Sequence, residues 1–142
     1  MDVTDGTLLQ LYGQKKVVLF PPECWRALRP HPVDPAGMSW AFSRLNLRRA
    51  LAADPASFEP PLREALTRRV ELTLCEGEML FIPACAAHEI SGLAVAEVAN
   101  GDSHHVLSVN RFWKTDAARV VPNLPEDARR AFSAEQQQLA TS

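Results

Sequence analysis

Hydrophobic and β-branched residues fill both halves of the segment LLQLYGQKKVVLF, residues 8–20, on either side of a turn signal at Gly13 and Gln14. Runs of this composition favour β-strands, and a glycine between them favours a tight turn. Two prolines at positions 21 and 22 end the second run. The pattern therefore predicts a β-hairpin near the start of the chain.

The pattern changes between Glu23 and Arg69, where prolines are frequent and the alternation is lost. Within this stretch, the sequence PPLREALTRR places Leu62, Ala65 and Leu66 on one face of a helix. We therefore expect an irregular insert, residues 23–69, that contains one or two short helices.

Strand-like alternation returns in VELTLCEG, residues 70–77, where Gly77 supplies a turn into the next strand, EMLFIP. A further short strand is predicted around residues 89–90, and a last one in HVLSVNRFW, residues 105–113. An apolar stretch, LAVAEVAN, lies between them. The chain thus offers about six strands.

Short strands with turn signals and one long proline-rich insert predict a mainly β fold, an antiparallel jelly roll of the cupin type, which is a double-stranded β-helix. Such a roll uses about eight strands, so we expect this one to be incomplete at the N-terminus. The ending PEDARRAFSAEQQQLA predicts an amphipathic helix with a polar tail. The expected organisation is a β domain over residues 1–114 and a C-terminal helical segment and tail over residues 115–142.

Composition narrows the class of protein only slightly. A chain of 142 residues suits one domain, and its net charge of −2 gives no global basic field that would steer it onto nucleic acid. Cys24, Cys75 and Cys85 lack CxxC spacing and follow a polar N-terminus, which indicates free thiols and an intracellular, cytoplasmic or nuclear location. No apolar run approaches the ~18 residues needed to cross a membrane, so no membrane association is expected.

The chain resembles a known family through four segments that occur in the same order: LLQLYGQKKVVLFPP, LRPHPVD, EGEMLFIPACAAHEI and LSVNRFW. Together they are similar to the jumonji-C branch of the cupin superfamily, the iron(II)- and 2-oxoglutarate-dependent oxygenases. Among its members, the chain resembles the asparaginyl hydroxylase that acts on hypoxia-inducible factor and the tRNA wybutosine hydroxylase. The resemblance covers residues 2–114. It implies a hydroxylase that acts on a protein side chain or on a modified tRNA base.

The resemblance also implies an iron site. The family holds Fe(II) with a His-x-Asp pair before the first strands and a second histidine after the FIP strand, which leaves one face of the metal open for 2-oxoglutarate and dioxygen. His88 takes the position of the second histidine, and Asp2 that of the aspartate. The first histidine would precede Met1 by one residue, so we expect the sequence to begin inside the motif. No catalytic residue beyond the metal ligands is expected.

Two residues are expected to bind the co-substrate. Lys15 follows Asp2 by thirteen residues, where the family often places the lysine that pairs with the distal carboxylate of 2-oxoglutarate. Strand alternation turns Lys15 and Lys16 to opposite faces, so one of them can point inward. The other interpretation is that both are exposed and protect a strand edge. Asn110 matches an asparagine near the co-substrate and metal in the asparaginyl hydroxylase, which implies a supporting role.

Departures from the family pattern support a second hypothesis. Ala86 and Ala87 stand where the family usually has a bulky aromatic residue, and Gly6 replaces an asparagine that is often found near the metal. The alternative is therefore a catalytically inactive cupin-like domain, a pseudoenzyme or truncated product that acts through protein contacts. In that case His88 is a hydrogen-bonded histidine at a strand end. Cys85 is expected to be a small buried hydrophobic residue in either case.

An incomplete jelly roll has open sheet edges, which tend to pair with another chain. We therefore expect a homodimer. The C-terminal helix around residues 128–132 is expected to join the interface, because related hydroxylases dimerise through C-terminal helices.

Overall fold

The computed structural model describes residues 4–32, 42–93, 106–113 and 129–130. Six strands lie in these ranges: β1 (Asp5–Tyr12), β2 (Gln14–Phe20), β3 (Val70–Leu74), β4 (Met79–Ile82), β5 (Ala87–Leu93) and β6 (Leu107–Trp113). They form two three-stranded antiparallel sheets, sheet A in the order β4-β1-β6 and sheet B in the order β3-β2-β5. The predicted mainly β fold is confirmed, and its two facing sheets are those of a jelly roll.

The predicted hairpin is wrong, although its two strands and its turn are present. β1 pairs with β4 and β6, whereas β2 pairs with β3 and β5, so the two strands belong to different sheets. Gly13 has a φ of 73°, which only glycine adopts without strain, and here the chain leaves one sheet for the other. Each strand thereby gains two partners instead of one, and a lone two-stranded hairpin is only marginally stable.

The space between the sheets is filled by apolar side chains from both. The buried members of this inner core are Leu8, Val17, Leu74, Ile82 and Ala86. Because successive side chains of a strand point to opposite faces, Val17 places Lys15 on the inner face of β2 and Lys16 on the outer face. The alternation along β2 therefore decides which lysine enters the sandwich.

Helices of the insert cover the outer face of sheet B. They are a 3₁₀ helix (Pro22–Leu28), α1 (Leu47–Ala52), a second 3₁₀ helix (Pro55–Ser57) and α2 (Pro60–Thr67). The Asn46 side chain caps α1 by accepting a hydrogen bond from the Arg49 backbone N–H at 3.0 Å. The predicted apolar face of α2 is confirmed, since Leu62, Ala65 and Leu66 are all buried. They join Trp25 in a second core against sheet B.

The outer face of sheet A carries large apolar side chains that are exposed. They alternate along β4 and β6: Met79, Phe81, Leu107, Val109 and Trp113. The Arg111 guanidinium lies 5.7 Å from the centre of the Trp113 ring. Trp113, at the end of the last strand, is 39% exposed.

Several predictions fall outside the described residues. The stretch LAVAEVAN lies there beyond Leu93, as does the C-terminal segment apart from Arg129 and Arg130, which are helical. The boundary between the β domain and the C-terminal segment thus stays a prediction. In the part of the chain that the structure describes, no helix is long and apolar enough to cross a membrane.

Candidate functional site

His88 lies on β5, directly opposite Leu19 of β2, and so projects from the inner face of sheet B. A tight turn precedes it, closed by a hydrogen bond from the Ala86 N–H to the Pro83 carbonyl at 3.1 Å. The Asp5 carboxylate, at the start of β1, accepts a hydrogen bond from the Ala84 N–H at 2.9 Å. Sheet A therefore holds the turn that positions His88.

The ring of His88 is oriented by its own strand. Nδ1 lies 3.0 Å from the Ala86 carbonyl oxygen, which can only accept a hydrogen bond. In the neutral imidazole this contact places the proton on Nδ1 and the lone pair on Nε2. A backbone carbonyl that fixes the tautomer in this way is the usual support of a metal-binding histidine.

His88 lines a small cavity between the two sheets, with a volume of about 20 Å³. Its other walls are Gly6, Thr7, Leu8, Ile82, Ile90, Asn110 and Phe112. The structure thus brings two of the predicted site residues, His88 and Asn110, to one cavity. A space of this size holds about one water molecule.

Phe112 accounts for the glycine at position 6. A Cβ on Gly6 would lie 3.0 Å from Cδ1 of the Phe112 ring, closer than side chains normally approach. The ring therefore occupies the space that a side chain at this position would need. Glycine in place of the family's asparagine therefore leaves room for the Phe112 ring, which faces this position across the sheet.

Lys15 crosses the space between the sheets. It projects from β2, the central strand of sheet B, and its ammonium donates a hydrogen bond to the Ser108 hydroxyl on β6 of sheet A. The interpretation that both lysines protect a strand edge is wrong for Lys15. The predicted split between faces is confirmed, because Lys16 lies on the outer face and pairs with Glu71 at 2.8 Å.

The ion pairs of Glu71 on β3 lie on the outer face of sheet B, on the side opposite to Lys15. Hydrogen bonds from Lys16 and then Arg69 lower the pKa of Glu71 below its usual range. Arg69 Nε lies 2.6 Å from Glu71 Oε1. These charges share one side of sheet B, whereas the Lys15 ammonium faces the sandwich interior.

The Lys15 ammonium and the His88 cavity lie at two different positions along β6. Ser108 and Asn110 both face inward on β6, opposite Gln10 and Leu8 of β1. Two residues of a strand span about 7 Å. The Lys15 ammonium at Ser108 therefore lies about that far along β6 from the cavity that His88 and Asn110 line.

Sequence reasoning missed Ser108, Gln10 and Asp5. Ser108 could have been found, since it lies two residues before Asn110 and therefore on the same face. Gln10 follows Leu8 at the same spacing. The role of Asp5 depends on a contact across 79 residues, which no local pattern indicates.

The iron ligands are only partly described. Asp2 lies outside the described residues, so His88 is the one proposed iron ligand that the structure describes. Within the ranges the structure covers, no three His, Cys, Asp or Glu side chains form a group that could hold a metal ion. Cys85 is buried in the helix-side core, and burial raises the pKa of its thiol to about 11. It therefore stays protonated near neutral pH, which agrees with the expected small hydrophobic residue.

A larger cavity is unrelated to these residues. With a volume of about 280 Å³, it lies between α1 and the outer face of sheet B, where it is lined by Lys16, Val18, Arg48, Leu51, Ala52, Glu89 and Ser91. Sheet B separates it from the inward side chains of Lys15 and His88. None of the predicted site residues lines it.

A protein-family model described as a cupin-like domain matches residues 1–119 of the chain. The match covers most of the sequence and includes Asp2, Lys15, His88 and Asn110. A comparison with curated proteins finds no match.

Proposed function

Because the chain belongs to the family of cupin-like domains, we propose that it is an iron(II)- and 2-oxoglutarate-dependent hydroxylase domain. Its substrate would be a protein side chain or a modified tRNA base. The proposal rests on one observation above all. Lys15 donates to Ser108 inside the sandwich, on the same inner face of β6 as Asn110.

The donors at this end of the interior fit a carboxylate. An ammonium beside a hydroxyl offers charge-assisted hydrogen bonds, which are the stronger kind. Lys15 and Ser108 would bind the distal carboxylate of 2-oxoglutarate, and the Asn110 amide would orient the rest of the molecule. Gln10 adds a buried polar side chain beside Ser108.

At the other end, His88 would hold the iron through Nε2, with Asp2 as the second proposed ligand. When bound, iron and the 2-oxo acid supply the oxidising chemistry. The chain contributes the rest: Lys15 would fix the orientation of the acid, and Leu8, Ile82 and Ile90 give the cavity apolar walls.

The direct test is an anaerobic titration of the protein with iron(II) and 2-oxoglutarate, followed by the visible absorption of the bidentate complex. Lys15→Met should weaken 2-oxoglutarate binding at least about tenfold, the worth of a hydrogen bond to a charged group. Lys16→Met is the matched control, since its side chain lies on the outer face, and should bind like the unchanged protein. His88→Ala should abolish the absorption.

An absorption that both lysine variants retain in full would contradict the role of Lys15. No absorption in the unchanged protein, with no heat of 2-oxoglutarate binding by calorimetry, would reject the hydroxylase proposal.

The second candidate is a cupin-like domain that acts through protein contacts without catalysis. The exposed apolar outer face of sheet A favours it, because such patches often mark interaction sites. The proposed homodimer belongs here as well. Within the described residues, β5 and β6 pair on one side only. Light scattering at micromolar concentration tests it, and a monomeric mass would count against the homodimer.

A further inference from the structure

Gln10 is the only fully buried polar residue in the described ranges, with none of its surface exposed. Its Nε2 donates a hydrogen bond to the Tyr12 carbonyl, but its Oε1 has no hydrogen-bond partner among the residues that the structure describes. A buried acceptor without a donor is costly, and native proteins rarely keep one without a reason. The position of the side chain suggests the reason.

Gln10 stands beside the hydroxyl that Lys15 contacts. It lies directly opposite Ser108 in the register of β1 and β6, and both face the interior. Side chains at such positions have Cβ atoms about 5 Å apart. The carboxamide, the Ser108 hydroxyl and the Lys15 ammonium therefore share one end of the sandwich.

Gln10 also holds the backbone that leads to Lys15. The register of β1 and β6 shifts between Gln10 and Tyr12, which marks a bulge, and the bond from Nε2 to the Tyr12 carbonyl closes over it. Gly13 then turns the chain into β2. A bulge of this kind re-aims the side chains beyond it.

We infer that Gln10 is a positioning residue for Lys15, an inference that rests on the proposed function. An ammonium has three donors. In the ligand-bound state one goes to Ser108, one to Gln10 Oε1 and the third to the distal carboxylate of the 2-oxo acid. Bonds to Ser108 and to Oε1 fix the ammonium so that its third hydrogen points to the carboxylate, and Gln10 thereby favours the arrangement that binds the ligand.

The neutral amide matters because it leaves the positive charge of Lys15 for the ligand. A glutamate at this position would pair with the ammonium and compete with the carboxylate of the ligand. A methionine has a similar shape but offers no strong acceptor. It loses the hydrogen bond to the Tyr12 carbonyl but also removes the unsatisfied buried atom, and since the two effects oppose each other it should fold nearly as well as the unchanged chain.

The experiment compares two probes by calorimetry on the metal-loaded full chain: 2-oxoglutarate, and 2-oxopentanoate, which has the same carbon chain without the distal carboxylate. Gln10→Met should weaken 2-oxoglutarate binding by about tenfold, the worth of a hydrogen bond to a charged group. Binding of 2-oxopentanoate should not change. Gln10→Glu, where it folds, should lose more of the preference for the dicarboxylate.

The outcomes separate this inference from the function on which it rests. Equal weakening of both probes in Gln10→Met would reveal a merely structural role and overturn the inference. A second outcome would also overturn it: Lys15→Met removes the preference for the dicarboxylate, but Gln10→Met leaves that preference intact. The proposed function would then stand. An unchanged protein that binds neither probe would overturn both.

Discussion

Within the described residues, sheet B is covered on both faces, whereas sheet A is covered on one. Val18, on the outer face of sheet B, is 3% exposed, but Val109, on the outer face of sheet A, is 52% exposed. The tryptophans differ in the same way, with Trp25 at 4% and Trp113 at 39%. Residues of the same type are thus buried on the outer face of sheet B, which the insert covers, and exposed on the outer face of sheet A.

This difference bears on the candidate site, which draws residues from both sheets. Lys15 and His88 project from sheet B, which packs between the helices and the inner core. Ser108 and Asn110 project from β6, which is an edge strand of sheet A within the described residues. The charged donor therefore stands on the more firmly packed side, and its hydroxyl partner on the more open one.

The largest expected contrast is in thiol reactivity, between the helix-side core under sheet B and the end of β3. Burial raises the pKa of Cys85 to about 11 and also raises that of Cys24, whereas Cys75 is only half-buried. At pH 8 a thiol with a pKa near 11 is about one thousandth thiolate. Titration with an aromatic disulfide should find one fast thiol and two that react only after unfolding. Three equally fast thiols would contradict the buried helix-side core.

The second contrast is the cost of removing a tryptophan. Trp25→Ala should lower the free energy of unfolding by about 3–5 kcal/mol, because it empties a packed position under the helices. Trp113→Ala, its match on sheet A, should cost less than about 1 kcal/mol. Urea denaturation measures both. A cost at Trp113 as large as at Trp25 would mean that the outer face of sheet A is covered in solution.

A smaller effect should follow from the contact that joins the two sheets at the His88 turn. Asp5→Ala removes the acceptor of the Ala84 N–H and should cost about 1–3 kcal/mol. Asp5→Asn keeps an acceptor oxygen and should recover most of that loss. If the two variants are equally unstable, the negative charge matters more than the hydrogen bond.

The smallest effect concerns the ion pairs on the outer face of sheet B. The pKa of Glu71 is lowered in the folded protein, so its contribution is present above the ordinary glutamate pKa and is lost as the pH falls through the lower folded value. The pair is partly exposed, which limits the contribution to less than about 1 kcal/mol. Glu71→Gln should show less acid destabilisation than the unchanged protein between pH 5 and 3 in urea melts. If both proteins lose the same stability as the pH falls, the pairing of Glu71 is contradicted.

Local patterns in the sequence determined much of the fold. Alternation located the strands of the two sheets, the spacing of Leu62, Ala65 and Leu66 gave the buried face of α2, and period two separated Lys15 from Lys16. These properties depend on neighbouring residues alone, since a strand or helix repeats its geometry every few residues. The family resemblance added His88 and Asn110, which the structure places at one cavity.

Only the tertiary structure decided which strands pair, which sheet the insert covers and what Lys15 contacts. The hairpin expected at Gly13 became a crossing between sheets, and Lys15 found its partner 93 residues away in Ser108. Turn residues set the direction of the chain, but a strand gains its partners from hydrogen bonds and burial between distant segments. No periodicity within one segment contains that information, so the contacts of Lys15 with Ser108 and of Asp5 with the Ala84 N–H became visible only once the two sheets were packed together.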